Sequence, residues 1–323
     1  LKGLLPRIDF FLKATPSVLR DETVFSDRKT ALIERITHEP LGVVANISAW
    51  NYPYFVGGNV FLPALLAGNA VLYKPSEFAT RTGLSIARLL HASGVPNEVF
   101  VPVVGTGEVG RALLRQRIDG VFFTGSVATG KKIARAASGR LMRVQLELGG
   151  KDPAYVCEDV DVSTVAAAVA DGAFYNTGQS CCSVERVYVR ASIFPQFVEA
   201  FVATVKGFRI GDPTDDATYI GPLARAAQVE VLEQQVADAR RKGARVFTGG
   251  KRLRGHGRGH YFAPTVLIDV DHSMIVMRNE SFGPIIGIMA VRDTASHLIE
   301  GFDGRARAFL HYCLAHARGA IVE

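Results

Sequence analysis

The sequence predicts an α/β fold: a doubly wound parallel-sheet domain followed by a second α/β domain. Three observations predict it. Apolar, β-branched runs alternate with helical stretches from Glu39 onward, Gly or Pro sits at the joints, and 323 residues suit about two domains. Continuous apolar strands separated by helices belong in a parallel sheet covered on both faces.

In chain order, "LGVVANI" reads as a strand, "GNVFLPALLAG" as a helix, "NAVLYKP" as a strand and "TRTGLSIARLLHASG" as a helix. "VFVPVVG" is a strand, "EVGRALLRQR" a helix, "IDGVFFTGS" a strand and "ATGKKIARAAS" a helix. A second round opens with the strands "RVQLELGG" and "DPAYVCE", continues through the helix "VSTVAAAVADGAFYN" and the strand "RVYVRA", and reaches a long amphipathic helix and strand in "QVEVLEQQVADARRKGARVFTGG". The expected division is 1–146, 147–291 and an atypical tail, 292–323. The segment "DRKTALIERITHE" stands outside the βα rhythm, so 28–39 is a candidate oligomerisation arm.

Composition removes several function classes. Hydrophobic residues make up 48% and charged residues 21%, which suits packed cores and excludes disorder. No uncharged apolar run approaches the ~18 residues of a membrane span, and the first residues lack a cleavable signal, so a soluble cytoplasmic protein without a membrane partner is expected. The formal charge of +6 arises between Arg111 and Arg143, where eight basic residues meet one acid, Asp119. A solvated helix face explains this best, phosphate attraction next, and nucleic acid last, because no nucleic-acid motif accompanies it. Four cysteines make no disulfide framework. Adjacent Cα atoms ~3.8 Å apart disfavour a Cys181–Cys182 bond, while Cys157 and Cys313 stand alone and His256 and His260 sit in the Gly-rich stretch "RGHGRGHYF", so no metal is expected.

Several motifs could carry chemistry. "FFTGSVATGKKI" runs strand, Gly-bounded turn, helix, the order in which a phosphate meets helix N-terminal amides. Its GSVATGK fills seven positions of a triphosphate-binding loop, but Lys132 stands where a magnesium-binding Ser or Thr is needed. In "VLYKPSE", Lys74 and Glu77 end a strand at the edge where parallel sheets bind nucleotides. A carboxylate there accepts from both ribose hydroxyls and repels a 2′-phosphate, favouring NAD over NADP. "NTGQSCC" leads through a turn to Cys181 and Cys182, either of which could be a nucleophile or a small buried hydrophobe. "QLELGGK" ends a strand with Glu147, a candidate general base, and "AWNYPYF" offers the amide of Asn51 to an oxyanion.

Taken together, AWNYP, LYKPSE, FTGS-x3-G, ELGGK, F-x3-GQ-x-C and ESFGP resemble the NAD(P)-dependent aldehyde dehydrogenase superfamily, from about Leu41 to Met289. The resemblance implies that Cys181, two residues after the Gln, is the nucleophile and that an aldehyde is oxidised to an acid with NAD. It implies an oxyanion held by Asn51 and the Cys181 amide, and a hydrolytic water activated by Glu147. Lys74 and Glu77 would hold the adenosine ribose, and Gly125, Ser126 and Gly130 the pyrophosphate. Trp50 and the Leu148 backbone would lie near the nicotinamide, with Glu280 and Phe282 at its ribose and ring. The first domain would bind NAD, the second would carry the thiol, and the intact family form would be a homo-oligomer. Tyr52, Tyr54, Phe55, Phe174 and Tyr175 would line the aldehyde entrance or fill the core. The tail "RDTASHLIEGFDGRARAFLHYCLAHARGAIVE" departs from the pattern, and the start at Leu1 departs too. These departures suggest a chain incomplete at both ends, with a shifted reading frame or fragment as the origin. The alternative function is a truncated, inactive remnant that binds a nucleotide or another subunit.

Overall fold

The computed structural model describes residues 3–255 and 259–292. Apart from Arg292, the tail expected at 292–323 lies outside the described residues, as do His256 and Cys313. The chain divides between Gly149 and Gly150 into two compact units.

The first unit opens with helix α1 (Leu4–Val18) and an antiparallel ribbon of β1 (Glu22–Asp27) and β2 (Leu32–Ile36). The segment outside the βα rhythm is thus the second half of a hairpin that begins at Glu22. The expected alternation follows: β3 (Val43–Ile47), α2 (Phe55–Leu66), β4 (Ala70–Lys74), α3 (Thr80–Ala92), β5 (Phe100–Pro102), α4 (Gly107–Leu113), β6 (Gly120–Gly125), α5 (Val127–Ala137) and β7 (Arg143–Leu148). These strands form a parallel sheet in the order β5-β4-β3-β6-β7.

Side chains alternate across each strand, so one strand feeds two cores. Val44 packs with Phe61, Tyr73, Ile86 and Phe100 under α2 and α3, while Ala45 and Ile47 pack with Leu113, Phe123 and Ile133 under α4 and α5. Helices on both faces make the unit doubly wound. Strands β3, β4 and β5 run outward in one direction and β6 returns to the other side of β3, so the strand order reverses between β3 and β6. Open α/β sheets bind ligands at such a reversal.

One expectation is corrected here. The strand "RVQLELGG", expected to open the second round, pairs with β6 through Thr124↔Glu147 and Gly125↔Leu148 and completes the first sheet. The boundary expected between 146 and 147 therefore falls inside β7. An apolar strand reads alike in either sheet, because its partner is chosen by long-range register.

The second unit contains β8 (Asp152–Val156), α6 (Val162–Phe174), β9 (Val184–Arg190), α7 (Phe194–Lys206), α8 (Ala226–Arg241) and β10 (Arg245–Thr248). A short pair, β11 (Arg252–Leu253) and β12 (Tyr261–Phe262), precedes β13 (Thr265–Ile268), α9 (Ile275–Arg278) and β14 (Ile285–Val291). The sheet order is β10-β13-β14-β9-β8, parallel except for β10 at its edge. Along β9, Val187 and Val189 join Phe174, Phe197 and Phe201 under α6 and α7, while Tyr188 turns to Leu232, Val236 and Met277.

Candidate active site

In the first unit the carboxyl edge of the sheet gathers the residues expected to meet a cofactor. The Ser48 amide donates to the Lys74 carbonyl at 3.0 Å, which carries the β3–β4 ladder one step past the strand and anchors the turn bearing Trp50 and Asn51. Both of those side chains are half-buried. Lys74 ends β4 with its side chain only 4% exposed. Its Nζ donates to the Pro75 carbonyl at 3.1 Å and lies 3.9 Å from the Glu77 carboxylate, whose side chain is 45% exposed. Burial pulls Lys74 below the usual lysine range, and Glu77 offsets part of that.

Gly125 ends β6, and Ser126 caps α5 by accepting from the Thr129 amide at 3.4 Å. A Cβ on Gly130 would stand 2.6 Å from Leu148 Cδ2, so the absent side chain is what lets α5 close onto the end of β7. Glu147 lies next to Leu148, exposed, its Oε1 accepting from Gln145 Nε2 at 3.4 Å. Gly125, Ser126, Gly130 and Leu148 thus converge at one corner. A cation with donor capacity to spare, an open carboxylate and a capped helix N-terminus fit the hydroxyls and phosphates of a dinucleotide.

In the second unit the thiol sits on an unusual turn. After α6, Asn176, Thr177 and Gly178 adopt φ values of 51°, 60° and 68°. Left-handed residues normally occur singly, and non-glycine ones persist only where the surroundings dictate them. Here the surroundings do. Thr177 Oγ1 accepts from the Gly221 amide at 3.0 Å, Gln179 Oε1 accepts from the Ala224 amide at 2.9 Å, and Asn176 Nδ2 donates to the Gln179 carbonyl at 3.1 Å. Tyr175 and Ser180 share a hydroxyl hydrogen bond of 2.6 Å, and Ser183 Oγ donates to the Ser180 carbonyl at 3.0 Å. Thr177, Gln179, Ser180 and Ser183 are buried, whereas Cys181 and Cys182 are exposed.

Their Sγ atoms are 3.7 Å apart, a thiol contact and not a bond. The Cys181 thiol is pushed up to about 11, first by burial of its sulfur and then by Cys182, with Asp152 adding a smaller push. The result is a thiol held in place but protonated at neutral pH. Attack on an electrophilic carbon therefore needs a proton acceptor.

Glu280 and Phe282 lie between α9 and β14. The Gly150 amide donates to the Glu280 carboxylate at 3.3 Å, and Phe282 is left-handed at φ 47°. A Cβ on Gly178 would fall on the Gly283 carbonyl oxygen, so the thiol turn and this loop meet backbone to backbone.

The aromatic residues expected at an entrance divide. Phe174 is fully buried against Phe201 and Phe208, and Tyr175 spends its hydroxyl on Ser180; Tyr52, Tyr54 and Phe55 are half-buried in the first unit. Reading the sequence did not single out Thr177, Lys151 or Glu185. The available signals were Lys151 inside ELGGK and a lone carboxylate in the apolar run "VERVYV". Among the described residues no group of three His, Cys, Asp or Glu could hold a metal, and no helix is long and apolar enough to cross a membrane.

Comparison with known proteins shows the family. The model of the aldehyde dehydrogenase family matches residues 4–301. Lactaldehyde dehydrogenase of Escherichia coli (strain K12) is 40% identical over 253 residues, covering 77% of this chain and 52% of that protein. Among solved structures, an aldehyde dehydrogenase of Mycobacterium tuberculosis complexed with NAD+ gives a TM-score of 0.86 at 32% identity, covering 94% of this chain and 65% of that one. A 3,6-anhydro-L-galactose dehydrogenase in complex with NAP gives a TM-score of 0.86 at 35% identity, covering 94% and 64%. The chain spans about half the length of the curated relatives it matches.

Proposed function

We propose, from the premise that the chain belongs to the aldehyde dehydrogenase family, that it serves the oxidation of an aldehyde to a carboxylic acid through a covalent adduct on Cys181. The observation that carries the reading is an exposed Cys181 on a turn whose neighbours are buried and hydrogen-bonded.

In this reading Cys181 gives its proton to solvent water and its sulfur attacks the aldehyde carbon; the S–C bond forms and the carbonyl oxygen becomes an oxyanion. Asn51 and the Cys181 amide donate to that oxygen, a contact worth ~10²–10³ in rate where it has been removed elsewhere. A bound nicotinamide dinucleotide supplies the hydride acceptor. The carbonyl re-forms as a Cys181 thioester. Glu147 takes a proton from water, the hydroxyl adds to the thioester, and the S–C bond breaks to give the acid and the thiol. General-base help of this kind is worth ~10²–10⁴.

Lys74 and Glu77 would hold the adenosine ribose, Gly125, Ser126 and Gly130 the pyrophosphate, and Trp50, Leu148, Glu280 and Phe282 the nicotinamide half. NAD is favoured over NADP because the Glu77 carboxylate would repel a 2′-phosphate. Free Cys157, Cys181 and Cys182 support a reducing, cytoplasmic setting, and the family resemblance supports a homo-oligomer.

The test is the absorbance of newly formed NADH with a panel of short aliphatic and aromatic aldehydes, for the parent and Cys181→Ala in parallel. Turnover that disappears in the variant is expected, with NAD preferred to NADP. Turnover that survives Cys181→Ala would sink the covalent reading. Folded protein that binds NADH without turnover would favour a nucleotide-binding role alone.

A further inference from the structure

Glu185 is a buried carboxylate at the start of an inner strand. It stands in β9 between Val184 and Arg186, four residues after Cys181, and is 4% exposed. A charge at such a place persists only when paired and hydrogen-bonded. Its Oε1 accepts from the Phe282 amide at 2.9 Å and the Ser281 amide at 3.1 Å. Its Oε2 accepts from the Ser281 amide at 2.8 Å and from Lys151 Nζ at 2.5 Å. Lys151 Nζ also donates to Ser281 Oγ at 2.9 Å, and the Lys151 carbonyl accepts from Arg186 Nε at 2.9 Å. Burial pulls Lys151 below its usual range, and Glu185 is the main group opposing that.

Three distant segments therefore meet on one buried ion pair: Lys151 after ELGG, Glu185 after GQSCC, and Ser281–Phe282 within ESFGP. Both ends of the pair are enclosed, so what they do must be done through what they hold. What they hold is the loop in which Phe282 is left-handed, a conformation that a bulky residue keeps only under constraint. The two amides on Glu185 are those of Ser281 and of Phe282 itself. The Gly150 amide, one residue before Lys151, reaches the Glu280 carboxylate, so the same strand end sets both flanks of Ser281.

We propose that the buried Lys151–Glu185 pair is a positioning unit that fixes the Glu280–Phe282 loop in the form that receives the nicotinamide half of the dinucleotide. The proposal rests on the reading of Glu280 and Phe282 given above. Lys151 and Glu185 touch no ligand in it. A pair that served only to hold the fold would have no reason to discriminate between two ligands that share their adenosine half.

The experiment compares NADH with ADP, which lacks the nicotinamide half, by fluorescence and calorimetric titration. The variants are Lys151→Met, Glu185→Gln and the double variant, with Glu280→Gln and Phe282→Ala as reporters of the loop. In Glu185→Gln one amide oxygen can still accept from the loop, but the NH₂ faces the lysine ammonium, donor against donor. Each single variant is expected to weaken NADH about tenfold or more while ADP stays within about twofold. The double variant, which buries no net charge, is expected to weaken NADH about as much as either single change and not by the sum of the two, because the two residues act as one unit. It also decides the matter should a single variant fail to fold. NADH affinity unchanged in the double variant, while Glu280→Gln or Phe282→Ala loses it, would overturn the positioning role and leave the loop reading standing. Normal NADH binding in both loop variants would overturn the loop reading and the proposal with it. Equal loss of NADH and ADP would reduce the pair to a general support of the fold.

Discussion

Cys181 combines an exposed residue with a reluctant thiol. Burial of its sulfur and the neighbouring Cys182 push it up to about 11, so at pH ~7 only on the order of one molecule in ten thousand carries the thiolate. The rate of alkylation by iodoacetamide, followed at Cys181 by mass spectrometry, should therefore rise about tenfold per pH unit well past the ordinary thiol midpoint of ~8.5. A plateau near that midpoint would refute the assignment. Cys182→Ala removes the second-largest influence and leaves the largest, so the profile should move to lower pH without reaching the ordinary value. A Cys181 profile left where the parent's lies would refute Cys182 as an influence on the nucleophile.

At the scale of elements, the thiol turn between α6 and β9 is where a single change should cost most. Ala at position 178 would have to adopt φ 68° and place its Cβ on the Gly283 carbonyl oxygen, a backbone atom that cannot rotate away. Gly178→Ala is expected to lose roughly 3 kcal/mol or more in urea unfolding, combining left-handed strain with a steric conflict. Near-parental stability would mean that the turn relaxes and is not the fixed platform described above. Local patterns in the sequence were enough to find the strand–turn–helix of β6 and α5, because capping by Ser126 is decided within a few residues. Local pattern left Cys181 and Cys182 equivalent, and only the family resemblance singled out Cys181 within GQ-x-C. Nor could local patterns show that Gln179 is spent on the Ala224 amide, that Phe174 belongs to the core, or that Lys151 reaches Glu185 and Ser281. Those choices link residues far apart in the chain. The misplacement of β7 has the same cause, since pairing between Thr124 and Glu147 leaves no trace in either segment alone.

At the scale of the whole molecule, the ribbon of β1 and β2 asks for a partner. Leu32 and Ile33 are consecutive and point to opposite faces, and Val24, Phe25, Leu32, Ile33 and Ile36 are all among the exposed large hydrophobics. Among the described residues β1 and β2 pair only with each other, and an isolated two-stranded ribbon is marginal in water. Apolar side chains on both faces of an exposed ribbon favour association through it, in keeping with the homo-oligomer proposed from the family resemblance. Light scattering coupled to size exclusion should then give a mass above that of one 34.9 kDa chain. Phe25→Asp combined with Ile33→Asp should lower it, because burying either carboxylate against a second copy costs more than the apolar contact it replaces contributed. Neither residue belongs to a core cluster of the first unit, so the double variant should keep the parental thermal midpoint and ADP affinity. A parent that already runs as one chain, or a mass unchanged by the two charges, would remove the ribbon from any assembly role. A fall in mass accompanied by loss of ADP binding would mean that association supports the nucleotide unit itself.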